Sequence, residues 1–470
     1  MNHMLGVVVL AAGDGTRMRS SVPKVLHPVC GKPLVDHVLA TARAVGASHE
    51  VLVVAPHTLA PLQARYGDTV GYAVQHERRG TAHAVIQAQP LLQDKVSRVL
   101  VLYGPDPLMR VASVERLLAL LDAPGGVGAL TTFVPPSPTG YGRIIRDAAG
   151  HFLRIVEERD ASPSERLLTE VNQGVVAYDA AWLWEHLALI QPSARSGELY
   201  LTELVALAVA ARGPGAIQTL CLDDPSEGLG VNDRVQLAEV EAVMRGRILH
   251  RLMLDGVTII DPGTTYVDAG VQVGQDTTLQ PGTILRGKTV IGTNCSIGPY
   301  SVIENSVIGN GCVVNASFLE HTVMADGANV GPLSHLRKGS NLGANAHVGN
   351  FAEVNRSTLR AGVKQGHFSY IGDADVGENT NIGAGTITAN YDGVNKNKTT
   401  IGPGAFIGSD TIIIAPRQIG ADARTGAGSV VNRDVAPGTT VVGVPARRIK
   451  RKIQHEQPPR PEPPPESSAV

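Results

Sequence analysis

Apolar positions along this 470-residue chain follow two different rhythms. Up to about residue 230, short β-branched runs alternate with stretches of helical spacing: GVVVL, then residues 33–45, EVLVVA, residues 81–92, RVLVLYG and residues 114–121. The alternation predicts right-handed βαβ units and a Rossmann-like, mostly parallel α/β sheet. Ligands of such a sheet sit beyond the carboxyl ends of its strands. Residues 232–254 open on Asn232 at a plausible N-cap and carry Val235, Val240, Val243, Leu249 and Leu252 near helical spacing, which predicts a connecting helix.

Beyond that helix apolar residues recur every six positions, at Val273, Leu279, Leu285, Ile291, Ile297 and Ile303, again from Met324 to Val354, and again from Ile401 to Ile419. Glycine often follows, as at Gly292, Gly298, Gly343, Gly349, Gly402 and Gly408. A period of six predicts a left-handed parallel β-helix of hexapeptide repeats, in which each apolar side chain stacks on its equivalent one coil away. The register breaks between about 388 and 400, and a loop expelled from a solenoid is where chemistry is expected. The closing QPPRPEPPPESSAV cannot build a core and reads as a disordered tail. The expected layout is an α/β domain over 1–231, a linker helix over 232–254, a β-helix over 255–452 and a tail over 453–470.

Composition sharpens this picture in two ways. Aromatics are only 4% while glycine fills 52 positions, as suits a repeat built from small-residue turns. A net charge of −2 offers no field for nucleic acid or an anionic membrane. The four cysteines, Cys30, Cys221, Cys295 and Cys312, are far apart and show no metal-ligand spacing, and the first apolar run lacks a basic leader, so a cytoplasmic protein without a targeting segment or membrane span is expected.

LAAGDGTRM, residues 10–18, follows the first strand, and its glycines let backbone amides turn toward a phosphate. Pro23 and Lys24 come next, then QHERRGTAHA at 75–84, GYGRI at 140–144, VEE at 156–158 and NQG at 172–174. In that order the set resembles the sugar-nucleotide pyrophosphorylases. With the hexapeptide half added, residues 5 to about 435 resemble the bacterial family of bifunctional N-acetylglucosamine-1-phosphate uridylyltransferase / glucosamine-1-phosphate acetyltransferases, which supply UDP-N-acetylglucosamine for the cell wall.

The resemblance implies that a sugar 1-phosphate attacks the α-phosphate of UTP and releases pyrophosphate, with magnesium spreading the charge. Such chemistry asks a protein mainly for positioning and electrostatics. Leu10, Ala11, Ala12, Gly13, Gln75, Gly80 and Thr81 would then hold uridine and phosphates beside Tyr103 and Gly104. Arg17 and Lys24 would stabilise the departing pyrophosphate, Gly142, Glu157 and Asn172 would grip the sugar, and Asn232 would be a magnesium ligand. Family members put a metal-binding Asp directly after Tyr-Gly, where this chain has Pro105; its Asp106 comes one position late. A slip of one residue along an extended segment turns a side chain to the opposite face. Either the loop readjusts so that Asp106 reaches the metal, or this half binds magnesium poorly; a solvated turn residue is the third reading.

In the second half, acetyl transfer from acetyl-CoA to an amine needs a base near neutral pH, and His367 in KQGHFSY suits it. By resemblance Arg337, Tyr370 and Asn381 would bind glucosamine 1-phosphate, while Ala384, Asn390, Tyr391, Ser409 and Ala427 would contact acetyl-CoA or the reacting carbonyl. The family's sugar-phosphate lysine is Asn355 here, so binding weakens unless Arg356 or Lys364 substitutes. A family arginine aligns with Gly443. The basic residues Arg447, Arg448, Lys450, Arg451 and Lys452 form either a solvated face or a contact for coenzyme A phosphates; no aromatics interleave as RNA binding would want. A homotrimer is implied by the family. Competing readings are an acetyltransferase with an impaired first half, a pyrophosphorylase for another sugar or nucleotide, and a non-catalytic trimeric scaffold.

Overall fold

Val7 and Val9 of the first strand face one side of a sheet and Val8 the other, and all three are completely buried. The strand is therefore covered on both faces, as its continuous apolar run requires. The computed structural model describes residues 4–193 and 196–449, and the chain divides into two units between His250 and Arg251.

In the first unit the sheet runs Ile217–Cys221, Gly128–Phe133, Val171–Asp179, Arg98–Tyr103, Leu5–Ala11, Ala47–Val54, Gly71–Val74. Leu5–Ala11 pairs in parallel with Ala47–Val54 on one side and Arg98–Tyr103 on the other. Val171–Asp179 is inserted antiparallel beside Arg98–Tyr103. Two apolar clusters sandwich the sheet, one around Val8, Val101 and Trp182, the other around Val9, Leu100 and Phe133. Each such side chain contributes about 1.5–3 kcal/mol on burial. The helix expected over 81–92 is Thr81–Leu92, while that expected over 114–121 is Val111–Ala119 followed by one tight turn.

The connecting helix spans Arg234–Leu254. Its N-cap is Asp233, not Asn232: the Asp233 carboxylate accepts the Gln236 amide at 2.9 Å, while Asn232 donates its own amide to the Gln236 side chain at 2.8 Å. Val235, expected on the apolar face, is 69% exposed, while its neighbour Arg234 donates to Met18 O at 3.2 Å.

The described residues of the second unit form a β-helix of three sheets with 12, 10 and 9 strands, parallel throughout except for the closing pair Thr440–Val442 and Arg447–Arg448. The six-residue positions are its core, with Leu279, Leu285, Ile297, Ile303, Leu336 and Ile413 fully buried. Val273, in the first coil, is only half-buried. Thr278 pairs with Ser296, a step of 18, whereas Asp375 pairs with Thr400, a step of 25, so one coil extrudes the interrupted segment. Buried hydroxyls line the corners and satisfy backbone carbonyls of their own and adjoining coils, as Ser340 Oγ does with Val354 O at 2.9 Å. The expected tail over 453–470 and the residues Lys450, Arg451 and Lys452 lie outside the described residues.

Candidate functional site

Beyond the carboxyl ends of the central strands lies a cavity of about 480 Å³. Leu10, Ala11, Ala12, Gly13, Lys24, Gln75, Gly80, Thr81, Tyr103, Gly142, Glu157 and Asn172 all line it. Gly80 has φ 107° and a Cβ there would sit 2.4 Å from the Leu199 carbonyl, so only glycine lets the loop close onto the start of the Thr81 helix. Gln75 holds that loop from beneath, its side chain donating to Gly80 O at 3.2 Å. Glu157 accepts from Thr202 Oγ1 at 3.1 Å, and burial raises its pKa. Asn172 turns inward, its side-chain oxygen accepting the Gly174 amide at 3.1 Å.

Lys24 is the central cation. Burial lowers its pKa and Arg17 lowers it further, against a pull upward from Asp106. Its ammonium donates to Asn232 Oδ1 at 3.2 Å. Arg17 is exposed and, like Gly104 and Asn232, does not line the cavity.

The one-residue slip has a definite geometry. Pro105 lines the cavity, and Asp106 turns its carboxylate to where a Cβ of Gly230 would be, 2.3 Å from Oδ1. Pro105 O accepts the Val231 amide at 3.0 Å, which fixes the segment from behind. Burial pushes the Asp106 pKa up to about 7, and the Lys24 charge opposes that shift. Among the described residues no hydrogen-bond donor reaches this carboxylate. Asp106 is partly exposed and, like Asn232, does not line the cavity. One carboxylate and one carboxamide oxygen, both beside Lys24, are hard donors that suit magnesium, which completes its shell with phosphate oxygens and water. Among the described residues no cluster of three or more His, Cys, Asp or Glu could hold a metal by itself.

Several lining residues escaped the sequence reading: Arg78, Tyr141, Gln173, Glu198, Tyr200 and Thr202. Arg78, Tyr141 and Gln173 stood inside the quoted motifs. Glu198 to Thr202 come from a separate segment that is held to the loop by the Leu199 amide on Arg79 O at 2.6 Å, the Ala82 amide on Leu199 O at 3.0 Å and the Leu201 amide on Thr81 Oγ1 at 3.0 Å.

In the β-helix, His367 is exposed at the corner between the 12-strand and 10-strand sheets. Corner turns stack above it, with the Gly385 amide on Phe368 O at 2.6 Å, Asp410 on Ala384 O at 2.6 Å and Gly428 on Ser409 O at 2.8 Å. That ladder sets the turns containing His367, Ala384, Ser409 and Ala427 one above another along the axis. Gln365, buried in a mostly aliphatic column between Val348 and Ile382, donates to Ser369 Oγ at 2.8 Å, and Ser369 donates to His367 O at 3.0 Å, which braces the turn. His347 stands close by, its pKa lowered by burial and then by the charges of His367 and Lys364.

Tyr370 and Asn390 approach at 3.5 Å, and Tyr391 lies exposed in the extruded loop with Lys396 Nζ 4.2 Å over its ring. Arg337 and Asn355 line one depression of about 380 Å³ together with Arg356. Arg356 is held bidentately by Asp373 at 2.7 and 2.8 Å, while Lys364 pairs in the ladder with Asn381. Asn381 and Tyr370 belong to different sheets of the prism. Arg447 and Arg448 are exposed and close the last strand pair, next to Gly443 at φ 93°.

Residues 7–170 match the model of the MobA-like NTP transferase domain, and residues 270–305 that of the bacterial transferase hexapeptide with six repeats. The chain is 44% identical to the bifunctional protein GlmU of Brevibacillus brevis over 91% of this chain and 92% of that one. It is 45% identical to that of Stutzerimonas stutzeri (93% and 96%) and 43% identical to that of Heliobacterium modesticaldum (96% and 98%). With such relatives matched over more than nine-tenths of both chains, this chain belongs to the family of bifunctional GlmU proteins.

Proposed function

We propose that this chain keeps both activities of its family: the β-helix acetylates glucosamine 1-phosphate with acetyl-CoA, and the α/β unit joins the product to UMP from UTP, giving UDP-N-acetylglucosamine and pyrophosphate. The observation that supports the second step is Asp106, a carboxylate that turns toward Gly230 and whose charge acts on the same Lys24 that donates to the Asn232 oxygen. Asp106 and Asn232 would hold magnesium, which supplies charge neutralisation on the phosphates when bound. Backbone amides of Leu10–Gly13 and the Gly80 loop bind phosphates and uridine, Glu157 and Asn172 orient the sugar, and a sugar phosphate oxygen attacks the α-phosphorus in line with the leaving pyrophosphate. Lys24 and Arg17 stabilise the charge that accumulates there.

In the β-helix, His367 takes the proton of the glucosamine ammonium group, the freed amine adds to the thioester carbonyl, and the coenzyme A thiol leaves as the C–S bond breaks. Arg337 and Tyr370 bind the sugar phosphate, and the Ala384–Ser409–Ala427 corner with Asn390 and Tyr391 receives the acetyl donor. Exposed apolar side chains stacked at Val290, Val307 and Val323, together with the open corner at His367, support a trimer in which neighbouring copies cover these faces. The four described cysteines are free, which supports a reducing, cytoplasmic setting, and no helix among the described residues is long and apolar enough to cross a membrane.

Pro105 at the cavity wall favours one competing reading, acetyl transfer alone. Magnesium-dependent release of pyrophosphate from UTP and N-acetylglucosamine 1-phosphate, with Asp106→Ala beside the wild type, decides between them. Turnover in the wild type and loss in the variant supports both activities. If neither turns over while acetyl transfer proceeds, the first activity is gone.

A further inference from the structure

Asp14 and Arg78 are absorbed by neither half of the reaction, yet they meet at the mouth of the nucleotide cavity. Asp14 lies in the turn between Gly13 and Gly15, directly after the first strand, and Arg78 in the loop that ends at Gly80. Both terminal nitrogens of Arg78 donate to the two oxygens of Asp14, forming a bridge between the two phosphate-side loops. His57, at the start of the helix Pro56–Tyr66, faces Asp14 from the third side at 3.8 Å.

Among the described residues, Lys24 and Arg78 are the two cations lining the cavity, against Glu157 and Glu198. Lys24 is already engaged by Asn232 and drawn toward Asp106. A nucleoside triphosphate carries about four negative charges, and Arg78 is the second cation on the cavity wall that can meet them. The bridge is not needed to hold the loop, because Gln75 bonds Gly80 O at 3.2 Å, the Leu199 amide bonds Arg79 O at 2.6 Å and the Gln75 amide bonds Val54 O at 2.8 Å. Both partners are half-exposed or nearly so, at 50% and 33% of their side chains, and exposed ion pairs contribute little stability, so exchanging the Asp14 carboxylate for phosphate costs little. Guanidinium matches a phosphate edge bidentately just as it matches a carboxylate.

We propose that Arg78 is a triphosphate-binding residue of the uridylyl-transfer site, and that Asp14 is its competitor, which the β- and γ-phosphates displace while His57 stays behind to face Asp14. The proposal rests on the uridylyl-transfer reading for its substrate, but binding alone tests it. The measurement is calorimetric binding of UTP and of UMP, with magnesium, to the full chain carrying Arg78→Gln, Arg78→Lys or Asp14→Asn. Arg78→Gln should weaken UTP about tenfold and leave UMP within about twofold, Arg78→Lys should recover part of the loss, and Asp14→Asn should tighten UTP about threefold. Opposite signs are the signature of competition. If Asp14→Asn and Arg78→Gln both weaken UTP, the pair is only a loop clamp and the proposal falls; it falls equally if neither moves UTP, or if UMP loses as much as UTP. A wild type that binds UTP without releasing pyrophosphate defeats the uridylyl-transfer reading while leaving this test decisive.

Discussion

The two halves of the molecule carry their chemistry in opposite ways. The α/β unit encloses a cavity of about 480 Å³ at the ends of buried strands, and burial there shifts Lys24 down and both Asp106 and Glu157 up. The β-helix offers His367, Phe368 and Tyr391 on its outside, over a core too narrow to hold a ligand. A doubly wound sheet makes a crevice from its own loops, whereas a prism of stacked coils has only faces and corners. One site is walled by a single chain. The other lies open on the surface, where the proposed trimer would cover it.

The largest effect that separates the halves should come from His367→Ala. Acetyl transfer should fall by about 10²–10⁴ while pyrophosphate release is unchanged, in paired assays on one preparation. An equal fall in both would mean a folding defect and erase the separation.

Ile303→Ala tests the solenoid core. Ile303 is fully buried between Leu285 and Leu319 on adjoining coils, so the variant should lose about 2–5 kcal/mol in denaturant unfolding followed by a probe in the β-helix.

Asp106→Asn sharpens the enclosed side. The Asp106 pKa is raised to about 7 from an ordinary carboxylate value, so folding becomes costlier as pH rises from about 4 through 7, where the unfolded chain has already lost this proton. With chelator present, the variant should melt a few degrees above the wild type at pH 8 and with it at pH 4. Magnesium should narrow the gap at pH 8. Equal melting at both values would mean the carboxylate is not desolvated.

Asn355→Lys is the smallest. It restores a cation in the depression shared with Arg337 and Arg356, and the KM for glucosamine 1-phosphate should fall severalfold with kcat little changed. No change would mean that Arg356, fixed by Asp373, already supplies the charge.

Repeats and strand-to-helix motifs were legible because they are local: a glycine at Gly80 or a stacked Ile303 answers to its own backbone and to a neighbour at constant spacing. Residues that reach a site by folding were not. Glu198, Tyr200 and Thr202 carry no motif, and bonds made by Leu199 and Leu201 hold them to the loop. Gln365 looks like an interruption of the six-residue rhythm until its bond to Ser369 shows it bracing the turn of His367.

By itself the order of residues determined the two architectures, since apolar periods of two, 3.6 and six leave few ways to bury the side chains that repeat. It also determined that the carboxylate after Tyr-Gly comes one place late. Which way Asp106 turns, that Arg78 rests on Asp14, and that Asp233 rather than Asn232 caps the linking helix were decided only by tertiary structure. The reason is physical: a side chain's partner is whatever the packed loops bring within about 3 Å, and no spacing along the chain encodes that distance.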